Sequence, residues 1–229
     1  MSRLLRWLIR RLPGAQRRVT FYAATSSKQV ALTIDDAPDA GTVDALIAVL
    51  AANGAPATFF ITGAYAQATP GALAKLSEAG HDLGNHLMHD APAWRMPIAD
   101  LDADLAACDA LIRRHGTPQF FRPPSGRYSR RMVRVAAARG YRTVLGDAFP
   151  FDTHIASQWV RRALLKWLIE SGSIIILHDR GMRGHRSVET LRWLLPWLKD
   201  RGYAVVSLAR LLASDSGAGE GNDAYGGDP

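Results

Sequence analysis

Carboxylates and imidazoles with the spacing of metal ligands occur at two places in the first half of the chain. The stretch N-H-L-M-H-D places His86 three residues before His89 and four before Asp90. The stretch T-I-D-D-A-P places Asp35 beside Asp36. Imidazole nitrogens and carboxylate oxygens bind zinc and other divalent ions. Two carboxylates that face each other also need a cation to neutralise them, so these residues together indicate a divalent metal site.

The elements that must position these residues alternate between short strand patterns and amphipathic helical patterns. Apolar residues recur at spacings of three, four and seven, as in residues 43–50. Seven such units predict an α/β fold with a parallel sheet that closes or nearly closes into a barrel, in a single domain. The predicted strands are Val30–Ile34, Thr58–Ile61, His81–Gly84, Gln119–Phe121, Arg142–Leu145, Ile174–Leu177 and Ala204–Ser207.

Titratable side chains from five of the predicted strands fall at the carboxyl-terminal rim of such a barrel, where barrel active sites form. Each has a plainer explanation when it is taken alone, since adjacent aspartates cap turns and a close histidine pair is often solvated. A single catalytic centre explains them together. The residues at this rim are Asp35, Asp36, His86, His89, Asp90, Arg122, Asp147, His178 and Asp179.

Four motifs, in this order along the chain, resemble those of the polysaccharide deacetylases, carbohydrate esterase family four. They are L-T-I-D-D-A-P, G-H-D-L-G-N-H, F-R-P-P-S-G and I-I-I-L-H-D, and the resemblance extends over about residues 29–212. It implies a distorted (β/α)7 barrel, which agrees with the seven predicted strands. It also implies a metal-dependent hydrolase that removes an N-acetyl or similar acyl group from an amino sugar, such as those of chitin or peptidoglycan.

The resemblance implies a role for each matching residue. Asp35 would be the general base that takes a proton from water, and Arg122 would hold its carboxylate in place. His178 would protonate the departing amine as the general acid. Asp36 and His86 would bind the metal, which polarises the acyl carbonyl and makes water more acidic.

The third metal ligand is where the sequence departs from the family pattern. The family usually has a second histidine four residues after the first, whereas this chain has Asp90 there and His89 one residue short. We favour Asp90, with His89 as the alternative. Two carboxylates and one imidazole make a harder ligand set, so we expect a divalent ion that is zinc or else cobalt or manganese. A second anionic ligand also predicts an alkaline-shifted pH optimum.

Three positions are expected to contact the substrate. Pro123 and Ser125 lie in F-R-P-P-S-G, and a backbone N–H near Ser125 would stabilise the oxyanion together with the metal. Trp94 lies in a loop near the rim, where its ring would stack on a sugar.

The family's later aspartate, which tunes the general-acid histidine, has no clean counterpart in G-D-A-F-P-F-D. Both Asp147 and Asp152 meet the requirement, and we favour Asp152.

Two short tails flank the predicted catalytic domain of residues 19–212. Residues 1–18 are a basic amphipathic segment, and residues 1–12 have the pattern of a helix that lies on an anionic membrane surface. A terminal helix packed on the barrel explains that pattern equally well. Residues 213–229 are acidic and Gly-rich, and we expect them to be disordered. No signal peptide with a cleavage site is evident, so the expected location is the cytoplasm or the inner face of the membrane.

Composition excludes some classes of protein and leaves others open. The formal net charge is +7, but much of it comes from six arginines within the first 18 residues, and no basic stripe interleaved with aromatic residues is evident. We therefore expect an amino-sugar substrate and no nucleic-acid partner. Two other functions remain open, namely a deacylase of a lipid-linked amino sugar and a catalytically silent glycan-binding module.

Four tryptophans recur at helical spacing and are expected to pack in the core or between helices: Trp159, Trp167, Trp193 and Trp197.

Overall fold

The computed structural model describes residues 19–213. The predictions for residues 1–18, including membrane contact through residues 1–12, and for the acidic tail beyond residue 213 therefore lie outside the described residues. Within residues 19–213 the chain forms seven strands that alternate with helices. The strands are β1 (Gln29–Ala37), β2 (Ala57–Ile61), β3 (Asp82–Asn85), β4 (Phe120–Phe121), β5 (Arg142–Thr143), β6 (Ile174–His178) and β7 (Ala204–Val206).

Eight α-helices follow or connect these strands within the described residues. The two longest are amphipathic, and their apolar faces cover the outside of the sheet. The helices are α1 (Val43–Ala51), α2 (Gly63–Ala68), α3 (Ala72–Glu78), α4 (Ile98–Ile112), α5 (Arg130–Ala138), α6 (Gln158–Leu168), α7 (Met182–Asp200) and α8 (Leu208–Ala213). Short 3₁₀ turns span Ala93–Arg95 and Pro124–Gly126.

The sheet is parallel and curls toward closure. Its strand order is β5-β4-β3-β2-β1-β6, and β7 pairs with the start of β1. Two isolated bridges, Thr20 with Val144 and Ala148 with Ile175, continue the pairing in the region of β5 and β6. The predicted α/β class and distorted (β/α)7 barrel are confirmed. All seven predicted strands occur, although β5 (Arg142–Thr143) is shorter than expected; Val144 beyond its end still donates a backbone hydrogen bond to Phe121 at 2.8 Å and bridges to Thr20.

The core forms because the central strands are apolar on both faces. Strand β1 is buried from Val30 to Ala37, as expected for a parallel strand covered by helices on one side and by the barrel interior on the other. Helix α7 buries Val188, Leu191 and Leu198 against this sheet. Each such side chain contributes about 1.5–3 kcal/mol of transfer free energy. Among residues 19–213, no helix is both long and apolar enough to cross a membrane.

Candidate active site

A bulge at the end of β1 turns two consecutive aspartates toward one cavity. Side chains in a regular strand alternate between faces, so neighbours such as Asp35 and Asp36 normally point apart. Here the register with β2 shifts between Ile34 and Ala37, and Asp36 adopts a positive φ of 57°. An extra residue of this kind redirects side chains, and both carboxylates line the same cavity.

Backbone strain is concentrated at this site. Residues other than glycine rarely adopt positive φ, and such conformations cluster where function requires a fixed geometry. Every non-glycine residue of this kind within residues 19–213 is a predicted site residue or a direct neighbour of one. They are Asp36 (57°), Leu87 (70°), which follows His86, Ser125 (58°), and Phe151 (54°), which precedes Asp152.

Arg122 holds the Asp35 carboxylate deep in the barrel. Its Nη1 donates to Asp35 Oδ1 at 2.6 Å and to Thr33 Oγ1 at 2.7 Å. Its Nε and Nη2 donate to the backbone carbonyls of Val144, at 3.1 Å, and Leu145, at 3.0 Å. Burial lowers the pKa of Arg122, and the Asp35 carboxylate opposes that effect. The guanidinium is thus fixed by four acceptors, and it fixes the carboxylate in turn.

Asp36 and His86 each have one atom that is suited to bind a metal ion, and these two atoms lie close together. His86 Nδ1 faces the Arg122 carbonyl at 2.7 Å, which makes Nδ1 the protonated nitrogen and leaves Nε2 with a lone pair. That Nε2 lies 3.6 Å from Asp36 Oδ1, too far for a hydrogen bond. The other Asp36 oxygen, Oδ2, accepts a hydrogen bond from Arg183 Nη1 at 2.8 Å.

These contacts fit two ligands of one divalent ion. Zinc lies about 2.0–2.2 Å from nitrogen and oxygen ligands, so two ligands of a tetrahedral ion stand about 3.4 Å apart. Each side chain is also oriented by a contact at its other polar atom, Asp36 through Oδ2 and His86 through Nδ1, as is usual for metal ligands. Burial raises the pKa of Asp36, but neighbouring cationic groups lower it overall, and the Arg183 guanidinium at 2.8 Å is the one that hydrogen-bonds to its carboxylate. The ionised form of Asp36 is therefore favoured.

A third ligand does not converge with these two. Among residues 19–213, no three His, Cys, Asp or Glu side chains are close enough to form a complete metal site. Asp90 is exposed on the cavity wall, and its Oδ2 accepts a hydrogen bond from Tyr65 at 3.3 Å. His89 does not line the cavity, and its Nδ1 is 2.7 Å from Asp104 Oδ1 on α4. The structure thus places Asp90 at the cavity and His89 against α4.

His178 and Asp152 form a pair on the opposite side of Asp35. His178 is the register partner of Asp35 on the adjacent strand, and its Nδ1 lies 2.9 and 3.0 Å from the two Asp152 oxygens. Burial alone lowers the pKa of His178, but Asp152, Asp35 and Asp36 outweigh it and raise that pKa. The carboxylate of Asp147 does not take part in this pair. It accepts a hydrogen bond from the backbone N–H of Ile174 at the start of β6. Asp152 is therefore the aspartate that contacts His178.

The cavity that joins these groups has a volume of about 660 Å³. Ser125, Phe149 and Phe151 form part of its wall, and the two phenylalanine rings meet edge to face with centroids 4.5 Å apart. Trp94 and Pro123 are not among the residues that line it. The half-buried Trp94 instead packs against the cluster around Leu87, Leu101 and Phe121, and Arg95 lies 4.1 Å over its ring.

Reasoning from sequence missed several residues that line the cavity, among them Arg183, Phe149 and Phe151. Arg183 follows β6 in R-G-M-R-G-H-R, where a basic residue close to a rim aspartate offered some signal. Phe149 and Phe151 lie in an irregular segment without periodicity, which gives no local indication of where their rings point. They supply aromatic walls to the cavity that Ser125 of the F-R-P-P-S-G motif also lines.

Comparison with known proteins agrees with this geometry. A family profile described as polysaccharide deacetylase matches residues 22–144. A peptidoglycan-N-acetylglucosamine deacetylase of Bacillus cereus is 30% identical over 203 residues, which cover 85% of this chain and 92% of that protein.

Solved structures show the same fold. A peptidoglycan N-acetylglucosamine deacetylase superposes with a TM-score of 0.83 at 22% identity, over 89% of this chain and 97% of the other. A family-four pseudoenzyme of Bacillus anthracis superposes with a TM-score of 0.80 at 21% identity, over 86% and 69% of the two chains. The profile match and the B. cereus relative show that this chain belongs to the polysaccharide deacetylase family.

Proposed function

We propose that this protein is a metal-dependent hydrolase that removes an N-acetyl or similar small acyl group from an amino sugar of a poly- or oligosaccharide. Family membership and the named activity of the B. cereus relative support the reaction. The observation that carries the proposal is the placement of Asp35 and His178. They are partners on neighbouring parallel strands, they line one cavity, and each is held by its own ionic partner.

Asp35 acts as the general base. Asp35 is 6% exposed, and its carboxylate receives a hydrogen bond of 2.6 Å from Arg122, so it is held in one orientation. A positioned base needs a free lone pair toward the water that attacks the acyl carbon. Because Arg122 contacts Oδ1, Oδ2 is available to accept that proton.

His178 acts as the general acid. The carboxylate of Asp152 at Nδ1 keeps the proton on that nitrogen, which leaves Nε2 to carry the proton that passes to the departing amine. The raised pKa of His178 keeps its imidazole protonated toward neutral pH. An amine is a poor leaving group until it is protonated, so this transfer completes cleavage of the amide bond.

Asp36 and His86 hold the metal, and Asp90 is the third protein ligand. Zinc is the first candidate and cobalt or manganese are the alternatives, since two carboxylates and one imidazole suit all three ions. When bound, a divalent ion polarises the acyl carbonyl and increases the acidity of water. Asp90 is the candidate for the third position because it lies at the same cavity and its exposed side chain is held by a hydrogen bond from Tyr65 at 3.3 Å.

Ser125 lies where a backbone N–H is useful to the developing oxyanion. The turn Pro124–Gly126 places Ser125 and Gly126 at the cavity, and both have positive φ. Backbone N–H groups fixed in this way stabilise negative charge without reorganisation. Pro123 supports this turn, and Trp94 remains a predicted outer sugar contact beyond the cavity.

The proposal is tested by acetate release from N-acetylglucosamine oligomers and from peptidoglycan. The protein is first stripped with a chelator and then reloaded separately with zinc, cobalt or manganese. We expect release only after reloading. Binding of the oligomers without acetate release, for every ion and over a wide pH range, would instead identify a silent glycan-binding module.

A further inference from the structure

The outer surface of α6 exposes two tryptophans to solvent. Trp159 is 76% exposed and Trp167 is 57% exposed, and Val160 beside them is 45% exposed. The two tryptophans are eight residues apart, just over two helical turns, so they lie on the same half of the helix surface. Large apolar side chains grouped in this way on a surface mark an interaction site. The expectation that both tryptophans pack internally is wrong.

Helix α7 extends this apolar surface. Trp193 and Trp197 are half-buried, and their rings stack with centroids 5.7 Å apart. Arg162 joins the two helices, because its guanidinium carbon lies 5.5 Å from the ring of Trp159 and 5.3 Å from that of Trp193. We call Trp159, Trp167, Trp193 and Trp197 the tryptophan face.

The tryptophan face is basic as well as aromatic. Helix α6 contains Arg161, Arg162 and Lys166 and no acidic residue. Lys166 lies 5.7 Å from the ring of Trp193, and both Arg162 and Lys166 retain access to solvent. Glu189 on α7 pairs with the buried Arg161 at 3.0 Å, and Glu170 follows the end of α6. The aromatic and basic residues come from two helices, which is why no stripe of this kind is visible along the sequence.

We propose that the tryptophan face binds the headgroup region of an anionic lipid bilayer. Tryptophan favours this region because its ring is largely apolar while its N–H needs a polar partner. Lysine and arginine beside it are attracted to anionic headgroups. An uncharged glycan would use the rings but gain little from Arg162 and Lys166, so the charge favours an anionic and partly apolar surface.

The tryptophan face lies near the cavity in the sequence, which suggests what membrane binding would do for the protein. Helix α6 begins directly after the loop that contributes Asp152, Thr153 and His154 to the cavity, and Trp159 is seven residues beyond Asp152. A chain held by this face keeps the mouth of its cavity close to the bilayer. Membrane binding is independent of catalysis and stands whether or not the protein hydrolyses amides.

The test is co-sedimentation of the full-length protein with vesicles of phosphatidylcholine alone or mixed with phosphatidylglycerol. We expect binding to the mixed vesicles that weakens as salt is raised. Trp159→Gln with Trp167→Gln should lower the partition coefficient by about tenfold or more, since two interfacial anchors are lost. Arg162→Gln with Lys166→Gln should lower it by about tenfold on the mixed vesicles only.

Matched controls carry the same changes elsewhere on the surface. Ile98→Gln with Tyr128→Gln removes two exposed apolar side chains, and Arg114→Gln with Arg134→Gln removes two exposed charges. Both controls should bind as the wild type does, and circular dichroism should show that all four variants are folded.

Three results would overturn the proposal. The first is that the full-length protein does not bind either kind of vesicle. The second is that the face variants bind vesicles as well as the wild-type protein does, which would assign binding to another segment such as residues 1–12. The third is that the face variants abolish self-association, or binding to a glycan or a single-stranded oligonucleotide, while vesicle binding is unchanged.

Discussion

The two sides of the candidate metal position differ in how firmly their side chains are held. On the strand side, Asp35, Asp36 and His86 are 6%, 4% and 2% exposed, and each contacts an arginine or a backbone carbonyl. On the turn side, His89 and Asp90 are exposed. The strand ends thus hold the proposed base and two of the proposed metal ligands, while the proposed third ligand lies on a turn.

Removal of the proposed general acid, His178, should have a large effect. The variant His178→Ala should lower kcat on an N-acetyl amino sugar by about 100- to 10,000-fold. An aryl acetate that the wild-type protein hydrolyses should be affected far less, because its phenolate leaves without a proton. Acetate release from both substrates by one preparation measures the difference. An equal loss on both would show that His178 is not the acid.

The turn side is tested by two neighbouring substitutions. Asp90→Ala should lower metal affinity by about 100-fold or more, since even the outer partners of ligands contribute up to about that much. His89→Ala should leave it unchanged. Both residues are exposed, so thermal unfolding of the metal-free protein should be the same in the two variants. Calorimetric titration with zinc, cobalt and manganese measures the affinity, and the reverse pattern would restore a two-histidine site.

The strand side predicts a change in pH dependence. The proposed role of His178 makes its protonated form the active one, so we expect the rate to fall as pH rises through the pKa of His178. Asp152 raises that pKa, and Asp152→Asn should therefore move the alkaline limb of the pH–rate profile to lower pH. At a fixed pH above that limb, the rate falls about tenfold for each unit by which the pKa falls.

Asp147→Asn is the matched control for Asp152→Asn. Asp147 accepts a backbone hydrogen bond at the start of β6 and does not contact His178. We expect a loss of stability in this variant without movement of the alkaline limb. A shift with Asp147→Asn and none with Asp152→Asn would reverse the assignment.

A smaller effect is expected on the free energy of unfolding, and it tests the hydrogen bonds that hold Arg122 on the strand side. Thr33 accepts from Arg122 and donates to the Ile175 carbonyl at 2.7 Å, whereas its register partner Thr58 has a buried hydroxyl without a hydrogen-bond partner in residues 19–213. Thr33→Val should cost about 1–3 kcal/mol of unfolding free energy, because it leaves buried polar groups unsatisfied. Thr58→Val should cost nothing or stabilise. Denaturant unfolding of the two variants gives the difference, and equal costs would contradict it.

Much of the site was accessible from sequence because it lies at strand ends. Strand periodicity is a local signal, and it placed Asp35, His86 and His178 at one rim. The contact of Arg183 with Asp36 joins residues 147 positions apart, and no local pattern encodes it. Helical spacing also placed the four tryptophans on helix faces. It did not show that Trp159 and Trp167 are exposed among the described residues, because exposure depends on how the helices pack in the tertiary fold.

The most direct test of the central claim compares the wild-type protein with Asp35→Asn, both loaded with the same metal. Asparagine keeps an acceptor for Arg122 but cannot take a proton from water, so fold, metal content and oligosaccharide binding should be preserved. Acetate release from N-acetylglucosamine oligomers is measured on both. We predict release by the wild type and none by Asp35→Asn. Equal release by the two proteins, or none by the wild type with any of the three metals, would contradict the account.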